Sequence, residues 1–301
     1  MRKSKLTESI RNTAQKLKIV EWQIADKCNY HCSYCNAKIW QSNYPKLVDY
    51  KEFIRKLDEL LGGNWLIHLG GYGEPFTQPN FLKIVKELID RGYYIGLVSN
   101  FSYPLQDILR FCEITKGKLL YFNASLHLEF VRPESFLRKA IEIRKIIGPL
   151  FQVSAVGIKK RIPELIKIGK EFNKKNIKFI FQTEKIGEGY CSYPGTQIKE
   201  ITKNFGYTYA INKENRFKNK KCFAGKDYFI LDNNGEAYFC NPYRAACRGI
   251  ANRSIQCGYL GNILDGTFAL RKKNTICKLD VCSCSTPWRV RGWRNESAPR
   301  L

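Results

Sequence analysis

Between residues 18 and 183 the chain rotates between short apolar runs and longer stretches whose apolar positions follow a helical spacing. Residues 18–26 alternate loosely between apolar and polar and predict a strand. Helices are predicted over 49–61, 79–90, 104–112, 133–147 and 163–173. Gly62-Gly63, Arg91-Gly92 and Gly148-Pro149 close three of them, because glycine leaves a helix readily and proline cannot continue one. Strands are predicted between them, over 65–69, 93–99, 119–126, 151–158 and 177–183. Six strand-helix alternations with short connections imply a parallel sheet with right-handed crossovers. An open sheet and a partial barrel both satisfy that pattern, and both present ligands at the carboxyl ends of their strands.

The rotation stops at a glycine-rich stretch, 187–195, which reads as a linker or active-site loop. A polar stretch runs on to Lys221. From Cys222 the chain is rich in strands and turns, with Asp232-Asn233-Asn234-Gly235 as a hairpin turn between strands at 228–231 and 236–239. Leu260-Gly261-Asn262-Ile263 leads into a stretch expected to be helical. The expected division is a basic N-terminal segment 1–17, a core 18–186, a linker or active-site loop 187–221, a cysteine-rich module 222–286 and a basic tail 287–301.

Composition narrows the class. The 301 residues are 44% hydrophobic, enough for one barrel-like domain and a smaller module. No run approaches about 18 consecutive apolar residues, so no membrane association is expected. The first 18 residues lack the apolar run of a secretion signal, so the expected location is cytoplasmic. Of the 12 cysteines, three sit in one loop near the start and seven lie between Cys222 and Cys284. That clustering suggests two metal sites in a reducing compartment rather than a disulfide scaffold. Cys112, in a helical pattern, reads as a buried small hydrophobe. A net charge of +24 raises nucleic-acid binding as an alternative, as does the Trp288–Arg294 cluster of arginine and tryptophan. The lysines are scattered, however, which favours simple solvation.

Cys28, Cys32 and Cys35 are spaced C-x3-C-x2-C directly after the first strand. Three thiolates this close suit one 4Fe-4S cube and leave its fourth iron without a protein ligand. An open coordination position is a mark of catalysis in other metal proteins. Zinc competes as a reading, with His31 as the nearby fourth ligand. Polar groups and glycines collect at the later strand ends: Leu69–Phe76, Val98-Ser99-Asn100, Ala124–His127 and Val156–Glu164. Glycines let the backbone approach a ligand closely. Ser125 and His127, two residues apart, share a strand face. Each polar residue also has a blander reading, as a helix cap or turn. Tyr34 could be a packed loop aromatic, and His31 and His68 are read as solvated or core-packed.

Together these stretches resemble the radical S-adenosylmethionine (SAM) enzymes. The resemblance implies an α/β fold, a partial (β/α)6 TIM-like barrel with a small C-terminal β-hairpin/helix cluster-binding module. It implies a 4Fe-4S cluster on Cys28, Cys32 and Cys35 whose open iron chelates SAM, and reductive cleavage of SAM to a 5′-deoxyadenosyl radical. Gly71, Gly73, Glu74 and Pro75 match the family's glycine-glutamate motif beside the methionyl amino group. By the same resemblance Ser99, Asn100, Ser125 and His127 face the ribose and carboxylate of SAM, and Tyr34, Gly157 and Ile158 face its adenine. Phe101 departs from the pattern, standing where the family often has the glycine of T-N-G.

The distal cysteines resemble the SPASM and twitch extensions of that family, which carry auxiliary 4Fe-4S clusters. Cys222 and Cys240 are the leading ligands, completed from Cys277, Cys282 and Cys284. The usual C-x2-C-x5-C-x3-C block is absent, which favours the twitch form with one auxiliary cluster. Cys247 and Cys257 would be loop thiols or would support a second. Zinc suits four clustered thiolates equally well. The resemblance implies hydrogen abstraction from a peptide or protein side chain, with an electron donor such as flavodoxin or ferredoxin. The alternatives are dehydrogenation of a small sugar or alcohol, and RNA modification or binding.

Overall fold

The computed structural model describes residues 13, 16–35, 44–186, 189–206, 218–219, 221–241, 244 and 257–277. Six parallel strands follow one another through the sheet in chain order: β1 (Ile19–Trp22), β2 (Leu66–Leu69), β3 (Tyr94–Ser99), β4 (Leu119–Leu126), β5 (Phe151–Gly157) and β6 (Lys178–Thr183). Helices α1 (Tyr50–Leu61), α2 (Phe81–Asp90), α3 (Leu105–Ile114), α4 (Pro133–Ile147) and α5 (Ile162–Lys174) alternate with them. This is the α/β architecture of a partial (β/α)6 barrel. Local chemistry sets the element ends. The Asp49 carboxylate accepts from the backbone N–H groups of Lys51 and Glu52 and starts α1. Gly62, at φ +69°, ends it.

Three features depart from the sequence expectation. A sixth helix, α6 (Gly195–Phe205), lies in the stretch read as linker. Its Phe205 packs against Phe179 and Phe181 of β6, with ring centroids at 5.6 and 5.8 Å, and this tertiary contact supplies what the polar sequence does not advertise. The stretch after Leu260 is not helical among the described residues. It belongs to strand β12 (Tyr259–Asn262) and then turns, because Asn262 and Asp265 bind backbone N–H groups of Leu264 and Thr267 in place of a helix. β1 is also shorter than its predicted span.

The hairpin turn at Asp232–Gly235 forms as expected, between β10 (Tyr228–Leu231) and β11 (Glu236–Tyr238). It extends the main sheet instead of standing apart. The strand order is β12-β11-β10-β1-β2-β3-β4-β5-β6, with β10 parallel to β1 and Ile19 opposite Tyr228. Two short ribbons complete the described strands: β7 (Lys185–Ile186) with β8 (Gly189–Tyr190), and β9 (Lys221–Cys222) with β13 (Thr275–Ile276). Most of the N-terminal segment and the whole Arg-Trp tail lie outside the described residues. Among those described, no helix is long and apolar enough to cross a membrane.

The two faces of the sheet differ. Trp22, Leu97, Phe122, Val153 and Phe181 are buried against the helices. Trp22 stacks on Phe53 of α1 at 4.7 Å, and Phe122 meets Phe101, Phe111 and Phe151 edge-on. The alternate positions, including Val98, Tyr121, Ser125, Gln152, Val156 and Gln182, are only half-buried. Deeper on that face, Ser154 accepts hydrogen bonds from Asn123 and Gln182. His68 of β2 reaches Tyr121 of β4 across Gly96, where a Cβ would collide with the tyrosine ring. The core therefore lies between sheet and helices, and the opposite face is polar and accessible.

Candidate functional site

Three strand ends grip the cysteine loop. From the end of β2, Glu74 N–H and the Thr77 hydroxyl both donate to the Lys27 carbonyl at 3.0 Å. This approach requires a glycine, since a Cβ on Gly73 would stand 2.2 Å from that carbonyl oxygen. From the end of β3, Asn100 Nδ2 donates to Asn29 Oδ1 at 2.7 Å and lies 3.7 Å from Cys28 Sγ. Asn29 in turn donates to Ser102 Oγ at 2.8 Å. Beyond β4, the Glu129 carboxylate accepts from Ser33 N–H at 2.7 Å, and Phe130 stacks on Tyr30 at 4.5 Å. Sequence reasoning missed Asn29, Thr77, Ser102 and Glu129, because no local pattern marks a loop-to-loop contact.

The three thiols share one environment. Burial pushes the Cys28 thiol up, with smaller contributions from Glu74 and Cys35. Burial pushes Cys32 up to about 11, and the charges of Cys35 and Cys28 add to it. Cys28 and Cys32 each feel the charge of neighbouring thiols, so a cationic centre is needed for these two to ionise together. A cubane spreads its thiolates over separate irons, and a donor set of soft thiolates fits it.

His127 sits beside this loop. Its Nδ1 lies 3.1 Å from Cys32 Sγ and 2.9 Å from the Tyr34 hydroxyl, and its ring is parallel to Tyr34. Burial lowers its pKa to about 4, so the imidazole is neutral. Ser125, two residues earlier, is half-buried on the accessible face.

Glu74 is turned inward. It is 1% exposed and accepts from Ser99 Oγ at 2.7 Å, Asn100 N–H at 2.5 Å and Phe76 N–H at 3.3 Å. Burial raises its carboxyl to about 7, against the lowering effect of those donors. Pro75 starts the 3-10 turn (Pro75–Thr77) that this carboxylate caps. Gly71, at φ +113°, packs on the Gln23 side chain. Phe101 adopts φ +62°, a conformation natural to glycine and strained for a bulky residue. Its ring, packed on Phe122, Phe136 and Phe151, holds it there, and Lys139 Nζ donates to its carbonyl at 2.8 Å.

At the end of β5, Gly157 is required by packing on the helix side. A Cβ there would lie 1.9 Å from the Phe181 ring, and Tyr193 donates to the Gly157 carbonyl at 2.6 Å. Ile158 is half-buried in the following loop. Glu164 pairs with Arg161 at 2.7 Å in the first turn of α5, the helix-end role weighed for it from sequence. His31 is exposed, His68 is held by Tyr121, and Cys112 is buried in α3.

A second buried network, absent from the sequence reading, joins the C-terminal hairpin to this site. Arg244 is 2% exposed, pairs with Asp232 at 2.6 Å, and lies over the rings of Tyr44 and Tyr72. Asn241 accepts from Gln23 at 3.0 Å and from Tyr72 at 3.2 Å, and donates to Glu21 at 3.2 Å. Cys240 precedes this network directly and is buried. Cys222 lies on the β9–β13 ribbon opposite Thr275, two residues before Cys277. Cys257 is disulfide-bonded. Cys247, Cys282 and Cys284 lie outside the described residues.

Residues 22–149 match the family model of the radical SAM superfamily. The matched stretch contains the cysteine loop, the Glu74 turn, Asn100 and His127. A "tungsten-containing aldehyde ferredoxin oxidoreductase cofactor-modifying protein" of Pyrococcus furiosus is 25% identical over 170 residues, 50% of this chain and 48% of that protein. An "S-adenosylmethionine-dependent nucleotide dehydratase" of Fibrobacter sp. is 26% identical over 190 residues, 60% of this chain and 46% of that protein. The chain thus spans about half the length of these curated relatives. Among solved structures, Streptococcus suis SuiB has a TM-score of 0.57 at 14% identity, over 88% of this chain and 68% of that one. A structure of anSMEcpe with bound AdoMet has a TM-score of 0.57 at 17% identity, over 83% and 78%. These two share the fold.

Proposed function

We propose that this chain cleaves SAM reductively at a 4Fe-4S cluster and removes hydrogen from a peptide or protein side chain. Cys28, Cys32 and Cys35 would hold that cluster. When bound, the cluster and SAM supply a 5′-deoxyadenosyl radical for the abstraction. The observation that carries the reading is the clamping of one three-thiol loop by the ends of β2, β3 and β4.

The remaining work falls to the protein. Glu74 braces the β2 and β3 ends, so that Ser99 and Asn100 keep a fixed relation to the cysteine loop. His127 packs its ring against Tyr30 and Tyr34 of that loop and would hold them beside the thiols. Val98, Tyr121, Ser125, Val156 and Gln182 line the accessible face on which a substrate group would rest. The Arg244 network ties the turn that begins at Cys240 to Gln23, at the entry to the cysteine loop. Cys222, Cys240 and Cys277, with Cys282 or Cys284, would hold an auxiliary cluster of the twitch type.

A peptide substrate is supported by anSMEcpe, one structure of which holds AdoMet and a peptide. The largely neutral polar lining, Tyr121, Asn123, Ser125, Ser154 and Gln182, also suits a small sugar or alcohol, which is the second reading. Anaerobically purified protein should contain iron and sulfide and should release 5′-deoxyadenosine from SAM with dithionite. Zinc without iron, or no 5′-deoxyadenosine, overturns the proposal. Deuterium transfer from labelled peptides and labelled alcohols into 5′-deoxyadenosine separates the two substrates.

A further inference from the structure

A groove of about 400 Å³ runs between α2 and α3 on the outer surface, away from the accessible face of the sheet. Its floor is apolar, formed by Phe76, Phe81, Tyr103 and Ile114, with Phe76 stacked on Tyr103 at 5.3 Å. Its rim is cationic. Lys83 and Arg110 are exposed and make no ion pair among the described residues. Lys86 is held by Asp90 at 2.7 Å, and Asp107 is the single acid among the lining residues.

The position of the groove gives it meaning. Phe76 is adjacent to Thr77, which donates to the carbonyl of Lys27 at 3.0 Å. Tyr103 is adjacent to Ser102, which accepts from Asn29 at 2.8 Å. Lys27 and Asn29 are the two residues flanking Cys28. Both walls of the groove therefore end one residue from the hydrogen bonds that fix Cys28. Cys28 itself is half-buried.

We propose that this groove is the docking surface for the one-electron donor, an acidic flavodoxin-type protein. The inference rests on the radical SAM reading. An apolar floor supplies the desolvated centre of an interface, and a cationic rim steers an acidic partner to it. In the transfer, the reduced carrier loses one electron to the site at Cys28. No bond is made or broken, and no atom changes hands. The +24 charge of the chain promotes encounter in general, while Lys83 and Arg110 fix where it ends.

The test compares the double variant K83E/R110E with K167E/K170E, which makes the same change in charge on the exposed side of α5. Binding of the cluster-loaded chain to an acidic flavodoxin is measured by calorimetry from low to moderate salt. K83E/R110E should weaken binding tenfold or more and flatten its salt dependence. K167E/K170E should change it less than threefold. With dithionite as reductant, both variants should form 5′-deoxyadenosine at the wild-type rate, and only K83E/R110E should fail with reduced flavodoxin. Equal losses in both variants, or no loss in K83E/R110E, overturn the groove. So does sedimentation showing a self-associated chain that K83E/R110E dissolves. If the wild-type chain forms no 5′-deoxyadenosine with dithionite, the radical reading fails, and the binding comparison still decides the groove.

Discussion

Arg244 donates to Gln23 Oε1 at 2.7 Å, joining residues 221 positions apart at the junction of β1 and β10. Gln23 directly follows β1 and leads into the cysteine loop. Arg244 follows Cys240 by one helical turn, with its backbone N–H on the Cys240 carbonyl at 2.9 Å. One guanidinium thus ties the two ends of the chain that carry the candidate metal ligands. Its charge is matched by Asp232, whose carboxyl is raised by burial and lowered again by Arg244. Replacing Arg244 with Met leaves that carboxylate buried and unpaired. The expected loss is about 3–5 kcal/mol, read from urea unfolding midpoints. The double variant R244M/D232L should recover part of it, and if it is no more stable than R244M the pair is not the source.

Glu74 sets a pH dependence. Its folded carboxyl titrates at about 7, and an ordinary glutamate titrates near 4.5. The folded state therefore binds more protons between those values. Stability from this group is fully present below about pH 4.5 and falls as pH rises to 7, by about 3 kcal/mol. In E74Q that fall is absent. Unfolding free energies of the two proteins, subtracted at each pH from 4.5 to 8, should show a difference that shifts in favour of E74Q and levels off above 7. A difference constant with pH would show that Glu74 does not titrate in this window.

Gly157 tests packing against ligand contact. In G157A the new methyl meets Phe181, and overpacking of this kind costs about 1–3 kcal/mol. The companion change F181L should restore most of the thermal midpoint. If G157A/F181L is stable yet has lost SAM affinity in calorimetry, Gly157 also serves the cofactor.

The two cysteine groups make separate predictions. C32A should form no 5′-deoxyadenosine from SAM under dithionite, and retained turnover would remove Cys32 from the cluster. C240A should keep part of that SAM cleavage while losing substrate conversion. Unchanged product yield in C240A would take the distal cysteines out of the mechanism.

Much of this architecture is written locally. Apolar spacing, Asp49 and Gly62 mark α1, and comparable signals mark β2 through β6, because caps and periodicity act within a few residues. The C-x3-C-x2-C spacing named the loop that three strand ends grip. What local signals could not give were the partners of that loop. Glu129 reaches Ser33 from 96 residues away, and nothing near either residue announces it. Phe101 reads as a departure from a glycine motif, and only its packing on Phe122, Phe136 and Phe151 shows how a large side chain holds φ +62°. Helix α6 was hidden for the same reason, its stability coming from Phe205 against β6.

The cysteine spacing, the glycine-rich turn and the rotation of six strands and helices are therefore properties of the sequence alone, since each depends on neighbours along the chain. The placement of the hairpin is not. β10 could have folded as a separate module, and its own sequence is the same in either case. It pairs with β1 because β1 is otherwise an open edge, with unpaired backbone groups and a buried apolar face to extend. That pairing, fixed by Arg244, Asp232 and Gln23, brings the stretch after Cys240 against Gln23, which leads from β1 into the cysteine loop, and only the tertiary structure decides it.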